Sequence, residues 1–201
     1  MKTEKNIKLL TPERKGGLTV MEAFANRRSC RGGIASKNIT EQQLSNLLWA
    51  AVGYNRPEMR TAPLALNTQD IDVYAVLSQS VYKYDAANHE LIWIADGDYR
   101  KAAGGGQDFI ANIPVILMIV ADYSKYNAAM AQMGFDMSSR VPGMATIDTG
   151  IVSQNISIFC AGNGLATIPR AMMDQKVMRE VLKLSDSQHL LLNNAVGYVE
   201  E

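Results

Sequence analysis

At 201 residues the chain suits one domain, 1–201. An apolar content of 47% against 20% charged residues excludes a disordered chain. Equal numbers of basic and acidic residues, 20 each, exclude an overall basic field that would draw nucleic acid or an acidic membrane. Cys30 and Cys160 lie far apart and outside any CxxC or Cys/His cluster, which argues against a disulfide scaffold and structural zinc. A reducing, cytoplasmic setting is therefore expected, with export by an already removed leader as the alternative, since MKTEKNIKLL reads as no secretory signal.

The first periodic stretch, LTVMEAFANRR, places Val20, Met21 and Phe24 on one helical face, so the basic run NRRSCRGG falls at or just beyond a short helix. Two readings of those arginines compete: a complement to the helix dipole, or an anion site. ITEQQLSNLLWAAVGYN is the clearest helix, with a Thr40/Gln43 capping box and a stripe of Leu44, Leu47, Leu48, Ala51 and Val52. RPEMRTAPLALNTQD has two prolines and no period; it reads as a long loop of the kind that carries function. IDVYAVLS alternates as a strand, and VYKYDAANHELIWIAD reads as two strands joined by DAANH, with His89 a solvated turn residue.

GDYRKAAGGGQDFIANI predicts helix, break, short helix. Its GGGQD lacks the Lys-Ser/Thr of a phosphate loop and the spacing of a dinucleotide fingerprint, so it reads as a flexible break. PVILMIVAD is a continuous apolar run and predicts a central strand covered on both faces. The helix SKYNAAMAQM follows, then SSRVPG as a breaker, then a buried helix from about Ala145 to Asn163. Gln154, Asn155 and Asn163 interrupt the apolar run, so it is a core helix rather than a membrane span. GLATIPRAMM predicts a short strand and turn, DQKVMREVLK an amphipathic helix opened by Asp174, and HLLLNNAVGYV a last strand. The antiparallel hairpin argues against a purely doubly wound sheet.

His89 and His189 have no Ser, Cys or carboxylate at a triad spacing, and the scattered carboxylates offer no metal cluster. Cys30 beside arginines is either a thiol of lowered pKa or a small packing residue; Cys160 reads as packing. Three features are candidates to meet at one ligand: the arginine run, the loop ending in Asn67 and Gln69, and the turn after the buried helix. Arginines present forked donors to a phosphate, and Asn and Gln amides both donate to and accept from a heterocycle edge. That set suits a phosphorylated aromatic cofactor.

The segments MEAFANRRSCR, LSNLLWAAVGYNRPEMRTAP, NTQDIDVY, VYKYD, IDTGIVSQNISIFCAGNGLAT and AVGY, in this order from about Ile7 to Tyr198, resemble the FMN-dependent nitroreductase family. Within it they resemble the subset related to SagB-type azoline dehydrogenases. The resemblance implies an α+β fold, with a central, mostly antiparallel or mixed sheet of four to five strands flanked by helices. It also implies an intertwined homodimer with FMN at the interface. By the same resemblance Arg27, Arg28 and Ser29 wrap the FMN phosphate and ribityl chain, and Arg31 is a further phosphate or ring-edge donor. Asn67 and Gln69 reach the flavin from the neighbouring subunit, and Gly164 and Leu165 end the central helix. The backbone N–H groups of Ala171 and Met172 face flavin N5 and O4.

Two departures from the family pattern stand out. Leu64 replaces a small polar residue, which implies a more apolar cleft or one changed contact there, and acidic Glu200 and Glu201 stand where relatives often carry Pro and a basic residue. The phosphate is then left to Arg27, Arg28 and Arg31. The implied activity is ping-pong transfer of hydride from NAD(P)H through flavin N5 to a nitroaromatic or quinone, with no side-chain acid or base and no metal. One alternative is an azoline-type dehydrogenase of modified peptides, for which Lys83 and Tyr84 offer a Lys-Tyr pair; an exposed Lys on a hairpin strand is the plainer reading. Another is a protein that binds FMN without turnover.

Overall fold

The computed structural model describes residues 5–134 and 136–200. Seven strands form one sheet: β1 (Ile7–Lys8), β4 (Ile71–Val76), β5 (Ser80–Asp85), β6 (Glu90–Asp96), β7 (Val115–Asp122), β8 (Ala166–Arg170) and β9 (Gln188–Gly197). Their order is β1-β6-β5-β4-β7-β9-β8, and every neighbouring pair is antiparallel. The fold is α+β as expected, but the sheet is larger than four to five strands, and among the described residues none of its strands pair in parallel. The two-residue β1 pairs Ile7 with Leu91 and Lys8 with Glu90. Such a backbone-only pairing leaves no hydrophobic period to read.

Residues alternate across β4 and β7 to two separate cores. Ile71, Val73 and Ala75 of β4, with Leu117, Ile119 and Ala121 of β7, pack on one face with α2 (Glu41–Val52), α5 (Ser124–Met133) and α6 (Val141–Gly162). Tyr74, Val76, Ile116, Met118 and Val120 turn to the other face, toward α3 (Arg100–Ala103), α4 (Asp108–Ala111) and α7 (Gln175–Val181). β7 is thus the doubly covered strand that its apolar run predicts.

The α2 capping box is present in both directions: Gln43 N–H donates to Thr40 Oγ1 at 3.1 Å, and Thr40 N–H to Gln43 Oε1 at 2.9 Å. α6 begins at Val141, earlier than Ala145, because Pro142 falls in the first helical turn, where its missing N–H would have no partner anyway. SSRVPG is therefore the entry to the helix and not a break before it. The long loop contains a small hairpin, β2 (Tyr54–Arg56) with β3 (Met59–Arg60), and a 3-10 turn over Ala65–Asn67. No helix among the described residues is long and apolar enough to cross a membrane.

One helix turns its apolar face outward, and one expectation about a side chain changes. In α1 (Val20–Asn26) only Ala23 is buried, while Val20, Met21 and Phe24 are 64%, 77% and 55% exposed. The apolar face of this helix therefore points away from the core of its own chain. His89 is not a solvated turn residue: its ring bridges Ser45 Oγ and the Tyr84 hydroxyl, each at 2.8 Å, and burial pushes its pKa down.

Candidate functional site

The arginine run is sewn into the sheet rather than trailing from a helix. Arg27 caps α1 through its N–H on Ala23 O at 2.9 Å; Ser29 then bridges Thr167 of β8, and Cys30 N–H donates to Thr167 O at 2.9 Å. Past Gly33, whose φ of +71° favours glycine, Ile34 bridges Val199 and Ala35 N–H donates to Tyr198 O at 2.8 Å. Glu200 N–H also returns to Gly33 O at 2.7 Å, while Glu201 lies outside the described residues. Among the described residues, none of Arg27, Arg28 and Arg31 makes an ion pair. No basic side chain sits in the last turn of α1, so the run does little to complement that dipole. Arg27 and Arg28 line a cavity of about 690 Å³ with Cys160, Gly164, Leu165 and Thr167. Gly164, at φ +69°, ends α6, and Leu165 N–H returns to Cys160 O at 3.0 Å.

β8 leads from this cavity to the turn after Pro169. Ala171 and Met172 are exposed, and among the described residues no acceptor takes their N–H groups. Four contacts fix the turn. The buried Asn193 donates through Nδ2 to Met172 O at 3.0 Å, and Asp174 N–H donates to Ala102 O at 2.9 Å. The Asp174 side chain caps α7 through Val177 N–H at 3.0 Å. The fourth is steric: a Cβ on Gly105, at φ +65°, would lie 2.6 Å from Met172 Cγ and 3.2 Å from Met173 N. GGGQD is therefore a close-approach segment, not only a flexible break. Met172 and Met173 line a separate depression of about 570 Å³ with Tyr99, Lys101, Gly105 and Gly106.

Sequence reasoning missed three residues here. Arg170 donates to Gly104 O at 3.0 Å and to Gln107 Oε1, and its guanidinium lies 5.8 Å from the Phe109 ring. Burial pulls its pKa down. Asn193 and Asn194 are fully buried in β9, the latter accepting from Ser153 Oγ at 2.8 Å. Two adjacent asparagines inside an otherwise apolar strand were the legible signal, because buried amides need designated partners.

The loop that carries Asn67 stands apart. Leu64 is buried in the core, so it does not line a cleft as its departure from the family pattern implied. Leu66, Asn67 and Gln69 all have positive φ, at 54°, 49° and 50°. The Gln69 amide is engaged on both atoms: Oε1 accepts from the Tyr54 hydroxyl and from Arg60 Nε at 3.2 Å, and Nε2 donates one N–H to Glu58 O at 3.0 Å. It pins the loop, whereas Asn67 keeps only a 3.4 Å contact to the same carbonyl and is exposed. Both border a cavity of about 790 Å³ with Arg14, Trp49, Tyr54 and His89. The chain thus gathers Arg27, Arg28, Gly164 and Leu165 in one place, Asn67 and Gln69 in a second, and Met172 in a third.

Lys83 and Tyr84 do not form a pair. As neighbours on β5 they point to opposite faces. Lys83 binds Asp72 at 2.8 Å, while Tyr84 is buried against His89 with its hydroxyl pKa pushed up by burial. Cys30 donates to Gly32 O at 2.9 Å. Cys160 is 1% exposed, and burial pushes its thiol pKa up.

The profile of the nitroreductase family matches residues 24–198. A protein of Methanocaldococcus jannaschii described as a nitroreductase is 28% identical over 181 residues, covering 85% of this chain and 87% of its own. A crystal structure from Ralstonia eutropha, also described as a nitroreductase, superposes with a TM-score of 0.87 at 28% identity, over 100% of this chain and 92% of that one. A Staphylococcus epidermidis structure described as an NAD(P)H:FMN oxidoreductase shares the fold at 13% identity, with a TM-score of 0.65 over 95% and 92% of the two chains. With the profile covering most of its length, the chain belongs to the nitroreductase family.

Proposed function

We propose that this oxidoreductase is an FMN-dependent enzyme that takes hydride from NAD(P)H and delivers it to a small electron-poor acceptor, a nitroaromatic or quinone, in ping-pong fashion. One observation carries the reading: β8 joins an arginine run that has no carboxylate partner among the described residues to a clamped turn with two backbone N–H groups that have no acceptor among them. That donor set fits FMN, cations for a phosphate at one end and neutral donors for a ring edge at the other. When bound, FMN supplies the hydride chemistry at N5.

In this reading the residues bind and orient. Arg27, Arg28 and Arg31 hold the phosphate, and Ser29 lies along the ribityl chain. The Ala171 and Met172 N–H groups donate to the N5/O4 edge, and Asn193 and Gly105 keep that turn in place. No side chain need move a proton. The working form is a homodimer in which Asn67 of one subunit reaches the flavin of the other. Two facts support it: Asn67 and Arg27 border different cavities of one chain, and Val20, Met21, Phe24 and Ile147 present exposed apolar surface on α1 and α6. The free cysteines suit work in a reducing cytoplasm.

The test is an absorbance spectrum of the pure protein, followed by titration with NADH and with NADPH. A flavin band near about 450 nm that bleaches on adding either nicotinamide is expected. Colourless protein that takes up no FMN refutes the proposal, and bound flavin that neither nicotinamide bleaches leaves a binding protein.

A further inference from the structure

Beneath the loop that carries Asn67 lies a group of acids that the proposed chemistry does not use. Asp70, at the end of the loop, is 0% exposed, and Asp148 of α6 is 2% exposed. Two donors converge on Asp148 Oδ2: Ala65 N–H of the loop at 2.9 Å and the Tyr126 hydroxyl at 2.7 Å. Asp70 Oδ1 accepts from Thr68 Oγ1 at 2.9 Å, whereas Asp70 Oδ2 is buried without a partner. Two carboxylates in one dry site do not both stay ionised, and an orphaned oxygen facing an acceptor is where the shared proton belongs.

We propose that Asp70 Oδ2 carries a proton shared with Asp148, and that this pair is the latch that holds loop 64–69 in the shape that presents Asn67. The function of the latch as a positioning device for cofactor binding rests on the reading of Asn67 as a flavin contact. The loop needs such a hold, because three residues at positive φ within four positions persist only where surrounding contacts over-determine them. The groups that face Asp70 are Asp148 of α6, Tyr126 of α5, Tyr123 just before that helix and Thr68 of the loop itself. The neighbouring cations are engaged elsewhere: Lys125 on Gln69 O and Asp72, Arg60 on Gln69 and Ile71 O. Asp122 is tied to Ser124 and Ser187, and His189 stacks on Tyr123 at 3.9 Å. Burial, with the charge of Asp148 second, raises the pKa of Asp70 to about 7.

The latch is closed when protonated and loosens as pH rises toward that value. Amide hydrogen exchange of residues 64–69, corrected for the intrinsic pH dependence, reads it directly in the wild-type protein. Protection is expected to fall by about tenfold per pH unit as pH rises from 3.8, the ordinary carboxylate value, to about 7, where the closed loop keeps a proton that the open loop has lost, and to level off above pH 7. Asp70→Asn replaces the shared proton by an amide donor, so the loop should stay protected and the step should vanish. An unchanged step in Asp70→Asn overturns the proposal, as does wild-type protection without a step, a result that needs no variant to fold. The FMN dissociation constant measured over the same range separates the two readings. A protection step that Asp70→Asn abolishes, with FMN affinity indifferent to pH, upholds the latch and removes Asn67 from the flavin site.

Discussion

Replacing Gly105 by Ala adds one methyl group where the glycine run passes under the turn of Ala171 and Met172. Its cost has two parts that a neighbouring position separates. Gly105 and Gly106 have φ of +65° and +79°, so Ala at either adopts a left-handed backbone, which costs about 1 kcal/mol. At Gly106 that is all, since nothing lies within 4 Å of the new Cβ. At Gly105 the Cβ lies 2.6 Å from Met172 Cγ, which can swing aside, but also 3.2 Å from Met172 C and Met173 N, which are backbone. Ordinary contact begins near about 3.5 Å, so the turn must yield by roughly 0.3 Å or more. Under the proposed function the Ala171 and Met172 N–H groups point at the flavin edge, and such a shift would cost them alignment. Gly105→Ala is expected to weaken FMN binding by about tenfold, or 1.4 kcal/mol, relative to Gly106→Ala. Urea unfolding and fluorescence titration with FMN supply the two readouts. If the variants lose equal stability and bind FMN equally well, the clamped turn is not what holds the flavin.

Other substitutions test separate parts of the proposal. Arg27→Ala or Arg31→Ala should each weaken FMN binding by about tenfold without lowering the melting temperature, and the loss should shrink at high salt, as expected for a charge contact to phosphate. Cofactor retention unchanged in both would leave the arginines as surface charge. Ile147→Glu, on a 64% exposed apolar position of α6, should convert a dimer to a monomer by light scattering and release FMN with it; a wild-type protein that is monomeric at every concentration would refute the shared site. Lys83→Ala should leave flavin reduction and acceptor turnover as they are, because Lys83 pairs with Asp72 on the face opposite Tyr84; lost turnover would revive the azoline reading.

The parts of this protein legible in its sequence are those set by neighbours along the chain. The capped α2, the doubly buried β7, the Asp174-capped α7 and the αL glycine ending α6 follow from periodicity, caps and glycine chemistry within a few residues. So does the local surplus of positive charge at Arg27, Arg28 and Arg31. Family resemblance added the order of the segments and the cofactor they imply. Tertiary structure decided which way these elements face. The stripe of α1 resembles a core face, yet it points outward, because burial depends on what packs opposite. Gln69, expected at the ligand, is bound by Tyr54, Arg60 and Glu58, and Gly105 makes room for a turn far along the chain. Asp70 and Asp148, 78 positions apart, become one acid site only when α6 lies under the loop. A hydrogen bond or shared proton belongs to a pair of groups, and only the fold determines the pairs.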